Sequence, residues 1–462
     1  MKTYFPLIST DIFVIPLLDR YLIYAPLRRV AFFTNTNAVN LLFRLRQGIV
    51  EPANDDEASF LQFCGQVLLT GTEGDWPIST LGHSNFEPTE VTLFLTTRCN
   101  LHCIYCYASA GDRLLSEMSL DTARRGIDFV WQNALKRGKS NFGVGYHGGG
   151  EPTVHWEVLR ESFTYARQVA QKNGLEVYGS LATNGVLSAE QRQWIIKNFR
   201  GVNLSIDGFP AIQDLQRPVS SGKSSSSIVL QTIKAFDKAK FSYGIRITVT
   251  ARSVDVLPQS IAYLLKTTHP KHIQVEPVYD LGRGQNEKLR VDTESFIDGF
   301  LQAQQLADER GVNFFFSASR IDVLTNRFCQ SCGEGFNLTP SGYVSACYEV
   351  PDEEFDFNDQ FIFGNYDEKD GHYVFDENKL MSLRNNSVEK IPWCQSCFCK
   401  WHCAGDCVYK ARHAMIDGQF MGDQRCEITR ALTLAQIINK IEQNGGKVWA
   451  EKVNPSLYIV NH

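Results

Sequence analysis

Between residue 90 and about residue 280, short apolar runs alternate with longer stretches of helical period. Strands are expected over 91–96, 142–147, 176–182, 201–206, 243–248 and 272–277. Between them, apolar positions recurring every three to four residues predict helices over 120–136, 156–172, 188–197, 227–240 and 256–266. Short apolar strands separated by helices indicate an α/β fold with a parallel sheet. An open doubly wound sheet and a partial barrel both fit this order, and periodicity does not choose between them.

The first 88 residues follow another rhythm. Residues 13–17 and 21–24 read as a hairpin, followed by a strand at 30–34 and a helix at 38–46. After Gly48 and a polar loop comes a second helix, about 56–69, ending at Thr70-Gly71. Strands followed by helices on this scale suit a small winged-helix-like module, not an independent catalytic domain. The expected divisions are therefore 1–88 for that module, 89–290 for the α/β body, 291–325 for a bridging segment, 326–430 for a cysteine-rich domain and 431–462 for a C-terminal helix and tail.

Composition narrows the function. At 462 residues, with 43% hydrophobic and 21% charged positions, the chain can bury two or three cores. A net charge of −5 argues against nucleic acid as the partner. No apolar run approaches the roughly 20 residues that span a bilayer, so no membrane is expected. The amino terminus lacks the pattern of a signal peptide, and the expected location is cytoplasmic. Thirteen cysteines in such a chain point to metal or cluster ligation, because the cytosol keeps thiols reduced. They are also grouped. Apart from Cys64, three fall at 99–106 and nine between 329 and 426, with none from 107 to 328. The Ser-rich run 220–227 reads as a loop, and its Gly-Lys-Ser is no P-loop because Arg217 stands where a glycine is required.

The first group, Cys99-x3-Cys103-x2-Cys106, begins where the first apolar strand ends. Three thiolates in eight residues can hold three corners of a four-iron cluster and leave the fourth iron open, as a catalytic metal requires. His147-Gly148-Gly149-Gly150-Glu151-Pro152 closes the second strand, where glycines let backbone approach a ligand. Gly143, Gly145 and Gly148 also match G-x-G-x-x-G, but Pro152 delays the helix and the next strand ends in Ala182-Thr183-Asn184-Gly185, without the acid a dinucleotide site needs. Thr183-Asn184-Gly185 and Ser205-Ile206-Asp207-Gly208 fall at the C-terminal ends of successive strands, where ligands collect in α/β proteins.

The cysteine trio, with the aromatic Tyr105 before its last member, resembles the signature of the radical S-adenosylmethionine (SAM) enzymes. That resemblance implies a partial (β/α)6 barrel, a [4Fe-4S] cluster on Cys99, Cys103 and Cys106, and SAM as cofactor. By the same resemblance, Gly148, Gly149, Gly150 and Glu151 hold the methionyl amino group. Thr183, Asn184, Ser205 and Asp207 belong to the same pocket, Ser205 facing the ribose or carboxylate. Arg217 and Arg246 are candidate bidentate partners of the SAM carboxylate, and Tyr105 is a candidate adenine contact.

Cys332-x9-Gly342-x4-Cys347, then Cys394-x2-Cys397-x5-Cys403-x3-Cys407, then Cys426, resembles the SPASM domain of peptide- and protein-modifying radical SAM enzymes. With Cys329 the set reaches eight thiols, which implies two auxiliary [4Fe-4S] clusters and three clusters in all. The resemblance assigns Cys329, Cys332, Cys347 and Cys407 to the nearer one, and Cys394, Cys397, Cys403 and Cys426 to the farther. A zinc ribbon is the alternative use of such C-x2-C pairs. Cys64 reads as a core residue, and Cys399 as a bystander thiol or an exchangeable ligand.

One departure bears on the reaction. In SPASM enzymes that form formylglycine, an aspartate base directly follows the cysteine matching Cys347; here Tyr348 stands there, with Glu349 next. Tyr348, Glu349 and Asp406 are the candidate proton acceptors. The N-terminal module resembles a domain that captures a leader peptide as an added strand. The expected function is therefore oxidative modification of a ribosomally synthesised precursor peptide, through a C–C or C–S crosslink or a desaturation. A reductant such as flavodoxin or ferredoxin supplies the electron. Oxidation or rearrangement of a small metabolite, peptide epimerisation and a zinc-bearing binding protein are the alternatives.

Overall fold

The computed structural model describes residues 11–47, 51–68 and 85–450. The N-terminal unit is an antiparallel meander of β1 (Phe13–Pro16), β2 (Tyr21–Ala25) and β3 (Val30–Thr34), followed by α1 (Thr36–Arg46) and α2 (Asp55–Leu68). Asn35 caps α1 by accepting from the Ala38 amide at 3.0 Å. The expected end of the second helix at 69–71 lies outside the described residues. β2 is buried on both faces. Ile23 and Ala25 face a core with Val39, Leu42, Leu45, Leu61 and Cys64, while Leu22 and Tyr24 face Ile321, Ile437, Ile441 and Trp449 from distant parts of the chain.

The body follows the predicted alternation: β4 (Glu90–Phe94), α3 (Leu120–Lys136), β5 (Asn141–His147), α4 (Trp156–Lys172), β6 (Glu176–Thr183), α5 (Ala189–Asn198), β7 (Gly201–Ser205), α6 (Pro210–Gln216), α7 (Ser226–Lys238), β8 (Ser242–Val249), α8 (Leu257–Thr267) and β9 (His272–Pro277). The six strands pair in parallel and in chain order. Residues 291–325, expected as a bridge, add α9 (Thr293–Asp308) and β10 (Asn313–Phe315), the latter parallel to β9. Gly143 and Gly145 lie within β5 itself, and α4 opens only at Trp156, so no helix starts at a dinucleotide-type turn.

The cysteine-rich region continues this sheet. β11 (Asn337–Leu338) pairs in parallel with β4, and β12 (Tyr343–Ser345), β13 (Ile362–Asp367) and β14 (His372–Phe375) follow antiparallel, giving eleven strands in one open sheet. The short helices α10 (Asn358–Phe361), α11 (Glu377–Arg384), α12 (Lys400–Cys403) and α13 (Val408–His413) and a hairpin of β15 (Met415–Ile416) and β16 (Gln419–Phe420) follow; Cys403 ends α12, and Cys394, Cys397, Cys399 and Cys407 lie in the turns beside α12. The long α14 (Gln424–Gln443) then returns the chain to the N-terminal unit, where β17 (Val448–Ala450) pairs antiparallel with β3.

Side-chain alternation divides the parallel sheet into two faces. On β8, Tyr243, Ile245, Ile247 and Val249 join the main core beneath the helices, while Arg246 points the other way and is exposed. Val91 and Leu93 on β4, Val144 and Tyr146 on β5, Val202 and Leu204 on β7 and Ile273 and Val275 on β9 pack into that same core. The opposite positions, including Thr92, His147, Ser180, Asn203, Ser205 and Gln274, form a polar inner face. No helix of the described residues is long and apolar enough to cross a membrane.

Candidate functional site

The cysteine loop follows β4 and is pinned on two sides. The His102 amide donates to Pro218 O at 2.8 Å and the Ile104 amide to Gln216 O at 3.0 Å, which fixes the loop to the end of α6. Arg283 Nε donates to Cys103 O at 2.8 Å from the segment after β9. The Leu101 amide and Asn184 Nδ2 both point at Cys99 Sγ, at 3.4 and 3.7 Å. Two N–H donors aimed at one sulfur suit a thiolate, which is the form that binds iron. Burial pushes the free thiols the other way, Cys99 up to about 12 and Cys103 up to about 11, so metal binding must displace a proton. Among the described residues no three His, Cys, Asp or Glu side chains close on a single metal ion. A cubane, whose thiolates bind different irons, holds its ligands further apart than one ion does.

The glycine segment after β5 packs directly on this loop. Gly148 has φ +128°, and a Cβ there would sit 2.7 Å from the Phe94 ring. A Cβ on Gly150 would stand 2.5 Å from Thr96 O and closer still to Arg98 O. Glu151 is buried and ties three segments together. Its Oε1 accepts from Thr153 Oγ1 at 2.6 Å and Thr183 Oγ1 at 2.8 Å, and its Oε2 from the Asn184 amide at 2.7 Å. Burial raises its pKa, and these donors work against that rise. Asn184 Nδ2 in turn donates to Asn100 Oδ1 at 2.7 Å. Glu151, Thr183 and Asn184 thus lie against the cysteine loop.

Tyr105, Asp207 and Arg217 form a buried set. Tyr105 OH donates to Asp207 Oδ2 at 2.6 Å, and Arg217 Nε donates to Tyr105 Oη at 2.6 Å and to Asp207 Oδ2 at 3.2 Å. Gln216 Nε2 adds a donor to the same oxygen at 2.9 Å, and the Thr248 amide bonds Oδ1 at 3.1 Å. Asp207 therefore orients Tyr105 and Arg217, and the Tyr105 hydroxyl is already committed within this set. Ser205 is half-buried at the end of β7, and Arg246 stands on the inner face of β8.

The turn after Cys347 enters this interior. The Tyr348 ring stacks on His147 with centroids 4.7 Å apart, and Tyr107 OH donates to Tyr348 O at 3.2 Å. Glu349 Oε1 pairs with Lys410 Nζ at 3.3 Å, and Glu349 Oε2 and His147 Nδ1 are both buried without a hydrogen-bond partner. Burial, reinforced by the charge of Arg246, lowers the His147 pKa to about 4, so the ring is neutral at pH 7. Asp406, the third candidate acceptor, is placed differently. Its two oxygens are gripped by Arg425 Nε and Nη2, and Arg425 Nη1 reaches Glu276 Oε2 at 3.0 Å.

The later cysteines separate into two neighbourhoods. Cys329, Cys332, Cys347 and Cys407 are near neighbours: a thiolate at Cys407 or Cys329 would raise the Cys347 pKa, and one at Cys329 would raise those of Cys407 and Cys332. Cys394, Cys397, Cys403 and Cys426 line one narrow cavity, which Cys399 and Asp406 also reach. The Asp406 charge acts on members of both neighbourhoods. Cys399 Sγ donates to Thr429 O at 3.9 Å and also contacts the Cys397 side chain.

Sequence reasoning gave no role to His147, which it met only as the head of a motif, nor to Tyr107, Glu276, Lys410 and Arg425. For His147 and Glu276 a signal existed, since each is a polar residue at an inward-facing position of a strand whose alternate residues are apolar. Lys410 and Arg425 carry no comparable pattern.

Residues 93–254 match the model of the Radical SAM superfamily; this part of the chain is a radical SAM domain on an α/β fold. An uncharacterised protein of Methanocaldococcus jannaschii is 29% identical over 174 residues, or 37% of this chain, and the match spans 57% of that relative. The serine-type anaerobic sulfatase-maturating enzyme of Klebsiella aerogenes is 23% identical over 340 residues, covering 67% of this chain and 76% of that enzyme. The mycofactocin maturase MftC of Mycobacterium tuberculosis is 26% identical over 340 residues, with 70% and 78% covered. Among solved structures, anSMEcpe with bound AdoMet superposes with a TM-score of 0.62 at 18% identity, over 77% of this chain and 96% of that one. Streptococcus suis SuiB bound to S-adenosylmethionine superposes at 0.52 and 13% identity, over 90% and 99%.

Proposed function

We propose that this protein is a radical SAM/SPASM maturase that oxidatively modifies a ribosomally synthesised precursor peptide, forming a C–C or C–S crosslink or a desaturation. The observation that carries the reading is the stacking of Tyr348 on His147. It puts the turn after Cys347 on the same inner face as the cysteine loop, so a substrate radical formed there would lie beside the later thiols. Relatives that mature sulfatases or mycofactocin, and the solved complex of SuiB with its precursor peptide SuiA, support a peptide substrate.

In this reading Cys99, Cys103 and Cys106 hold the SAM-binding cluster, and Gly148–Gly150, Glu151, Thr183, Asn184, Ser205, Arg217 and Arg246 form the cofactor pocket. When bound, the cluster and SAM supply a 5′-deoxyadenosyl radical that removes a hydrogen atom from the substrate. The chain's own residues orient and protect. Asp207 fixes Arg217 and Tyr105, and Glu151 joins the ends of β5 and β6 to the cysteine loop. Glu349, through its unpartnered oxygen, accepts the proton released as the product forms. Two auxiliary clusters, on Cys329, Cys332, Cys347 and Cys407 and on Cys394, Cys397, Cys403 and Cys426, would receive the second electron. The N-terminal module holds the leader, and a flavodoxin or ferredoxin is the reductant. Tyr348 in place of the family's aspartate argues against formylglycine formation, despite the sulfatase-maturating relatives.

The test is anaerobic reconstitution with SAM and dithionite, followed by co-expression with candidate precursors encoded nearby. The expected result is 5′-deoxyadenosine and a peptide lighter by two hydrogens. No 5′-deoxyadenosine would overturn the enzyme class, and zinc without acid-labile sulfide would favour a zinc-binding protein.

A further inference from the structure

The turn between Cys399 and Cys403 is held from outside the cysteine-rich region. Lys400 Nζ pairs with Asp11 Oδ1 at 2.6 Å, and both side chains are more than nine-tenths buried. The same oxygen accepts from Trp401 Nε1 at 2.9 Å. Tyr24 OH is hydrogen-bonded to His402 Nε2, with the two rings stacked at 6.0 Å, and His402 Nδ1 meets Val323 O at 2.9 Å. Three consecutive residues of this turn therefore each find a buried polar partner, and for all three that partner includes a residue of the N-terminal unit.

A second connection reaches the same thiols by another path. Asp423 caps α14 by accepting from the Cys426 amide at 3.0 Å, so Cys426 sits in the first turn of that helix. At its other end Ile437 and Ile441 pack with Phe13, Leu22, Tyr24 and Ala31. The chain then adds β17 to β3 in the register Val448–Phe32, Trp449–Ala31 and Ala450–Val30. Both Cys403 and Cys426 are thus anchored on the N-terminal sheet.

We propose that Asp11 and Tyr24 are positioning residues for the metal centre of Cys394, Cys397, Cys403 and Cys426, and that the N-terminal sheet is a wall of that centre instead of a detachable front module. The inference rests on the proposed function, in which these four thiols hold a cluster. A buried ammonium without its carboxylate is costly, and the turn that carries Lys400 would move to find water. The residues just after Cys403 cannot absorb such a shift freely. Ala404 and Asp406, on either side of Gly405, have positive φ (+49° and +61°), a conformation that a residue with a side chain keeps only where surrounding contacts over-determine it. Loss of the Asp11 anchor is therefore transmitted to Cys403, which directly precedes that run.

The experiment uses full-length protein purified anaerobically, read by iron and sulfide content, by EPR and by the reduction potential of each centre. Wild type should hold about twelve irons, and a Cys394→Ala/Cys403→Ala control about eight. Asp11→Asn is expected either to lose about four irons or to keep them with the far centre's potential raised, because an unpaired Lys400 charge favours the more negative, reduced cluster. Adding Lys400→Met to Asp11→Asn should restore iron and potential. Tyr24→Phe, which removes one hydroxyl, should alter the EPR signal of the same centre. Formation of 5′-deoxyadenosine from SAM persists in these variants and shows that the chain has folded; should Asp11→Asn fail to fold, Tyr24→Phe decides. Full iron with unchanged spectra and potentials in both variants would overturn the proposal. About four irons in the wild type would instead overturn the reading beneath it, and the proposal with it.

Discussion

Glu349 Oε1 lies 3.3 Å from Lys410 Nζ, while Glu349 Oε2 is buried with no donor. A half-satisfied buried carboxylate is destabilising in a finished protein core. It is useful in a binding site, where a substrate completes it. Lys410 is itself held over the Tyr279 ring at 3.3 Å, so the ammonium is fixed and the open oxygen keeps its direction. Glu349→Gln should leave reductive cleavage of SAM intact and slow product formation by about 10²- to 10⁴-fold, the usual contribution of a positioned acid–base group. Mass spectrometry of the peptide, set against 5′-deoxyadenosine release, checks this; equal losses in both would remove the role.

Arg425 bridges Asp406 and Glu276, and thereby the cysteine-rich region and the end of β9. All three side chains are buried, so removing the cation leaves two buried carboxylates without the partner they share. Arg425→Met should destabilise the protein by about 3–5 kcal/mol, the cost of breaking a buried ion pair from one side. Urea denaturation followed by tryptophan fluorescence measures it. The triple variant Arg425→Met/Asp406→Asn/Glu276→Gln should recover most of the loss, because the buried charges then disappear together.

These two arrangements differ in how far the sequence discloses them. The parallel strands and their helices are legible because each buries a continuous apolar run, and the cysteine loop because ligand spacing is local. α6 is not legible. Its inward residues Gln213 and Gln216 are polar, fully buried and bonded to Asp207, so the apolar period that marks a helix is missing. The Glu276–Arg425 contact joins positions 149 residues apart and leaves no pattern in either segment. β17 is a three-residue strand that exists only because β3 offers an edge. Local pattern was readable, and long-range pairing was not.

Gly150 tests how closely the glycine segment serves the cysteine loop. A Cβ there meets the Thr96 and Arg98 carbonyl oxygens, which are backbone and cannot rotate away. Gly150→Ala should therefore displace Cys99 and abolish 5′-deoxyadenosine formation while sparing the iron bound by the later cysteines. At Gly149 the nearest atom is Pro351 Cγ at 3.0 Å, a contact that a small shift relieves. Gly149→Ala should retain most activity. Iron content and SAM cleavage, measured side by side on the two variants, separate a specific backbone approach from a general intolerance of the loop.

His147 gives a pH dependence whose sign can be worked out. Its pKa falls from 6.5 to about 4 in the folded protein, because burial and the Arg246 charge disfavour the imidazolium. Between these values the unfolded chain binds more protons than the folded one, so this residue makes stability rise with pH from about 4 to about 6.5. Its contribution is complete above the upper value and fades toward the lower. His147→Gln keeps a polar side chain of similar reach but cannot titrate. The variant should therefore lose less stability than wild type on acidification from pH 7 to pH 5, whichever is more stable at neutrality. Melting temperatures of both proteins at the two pH values check the difference of differences. Parallel losses would show that His147 takes up its proton as readily in the folded protein as in the unfolded chain, and that the inner face around Tyr348 is wetter than its packing implies.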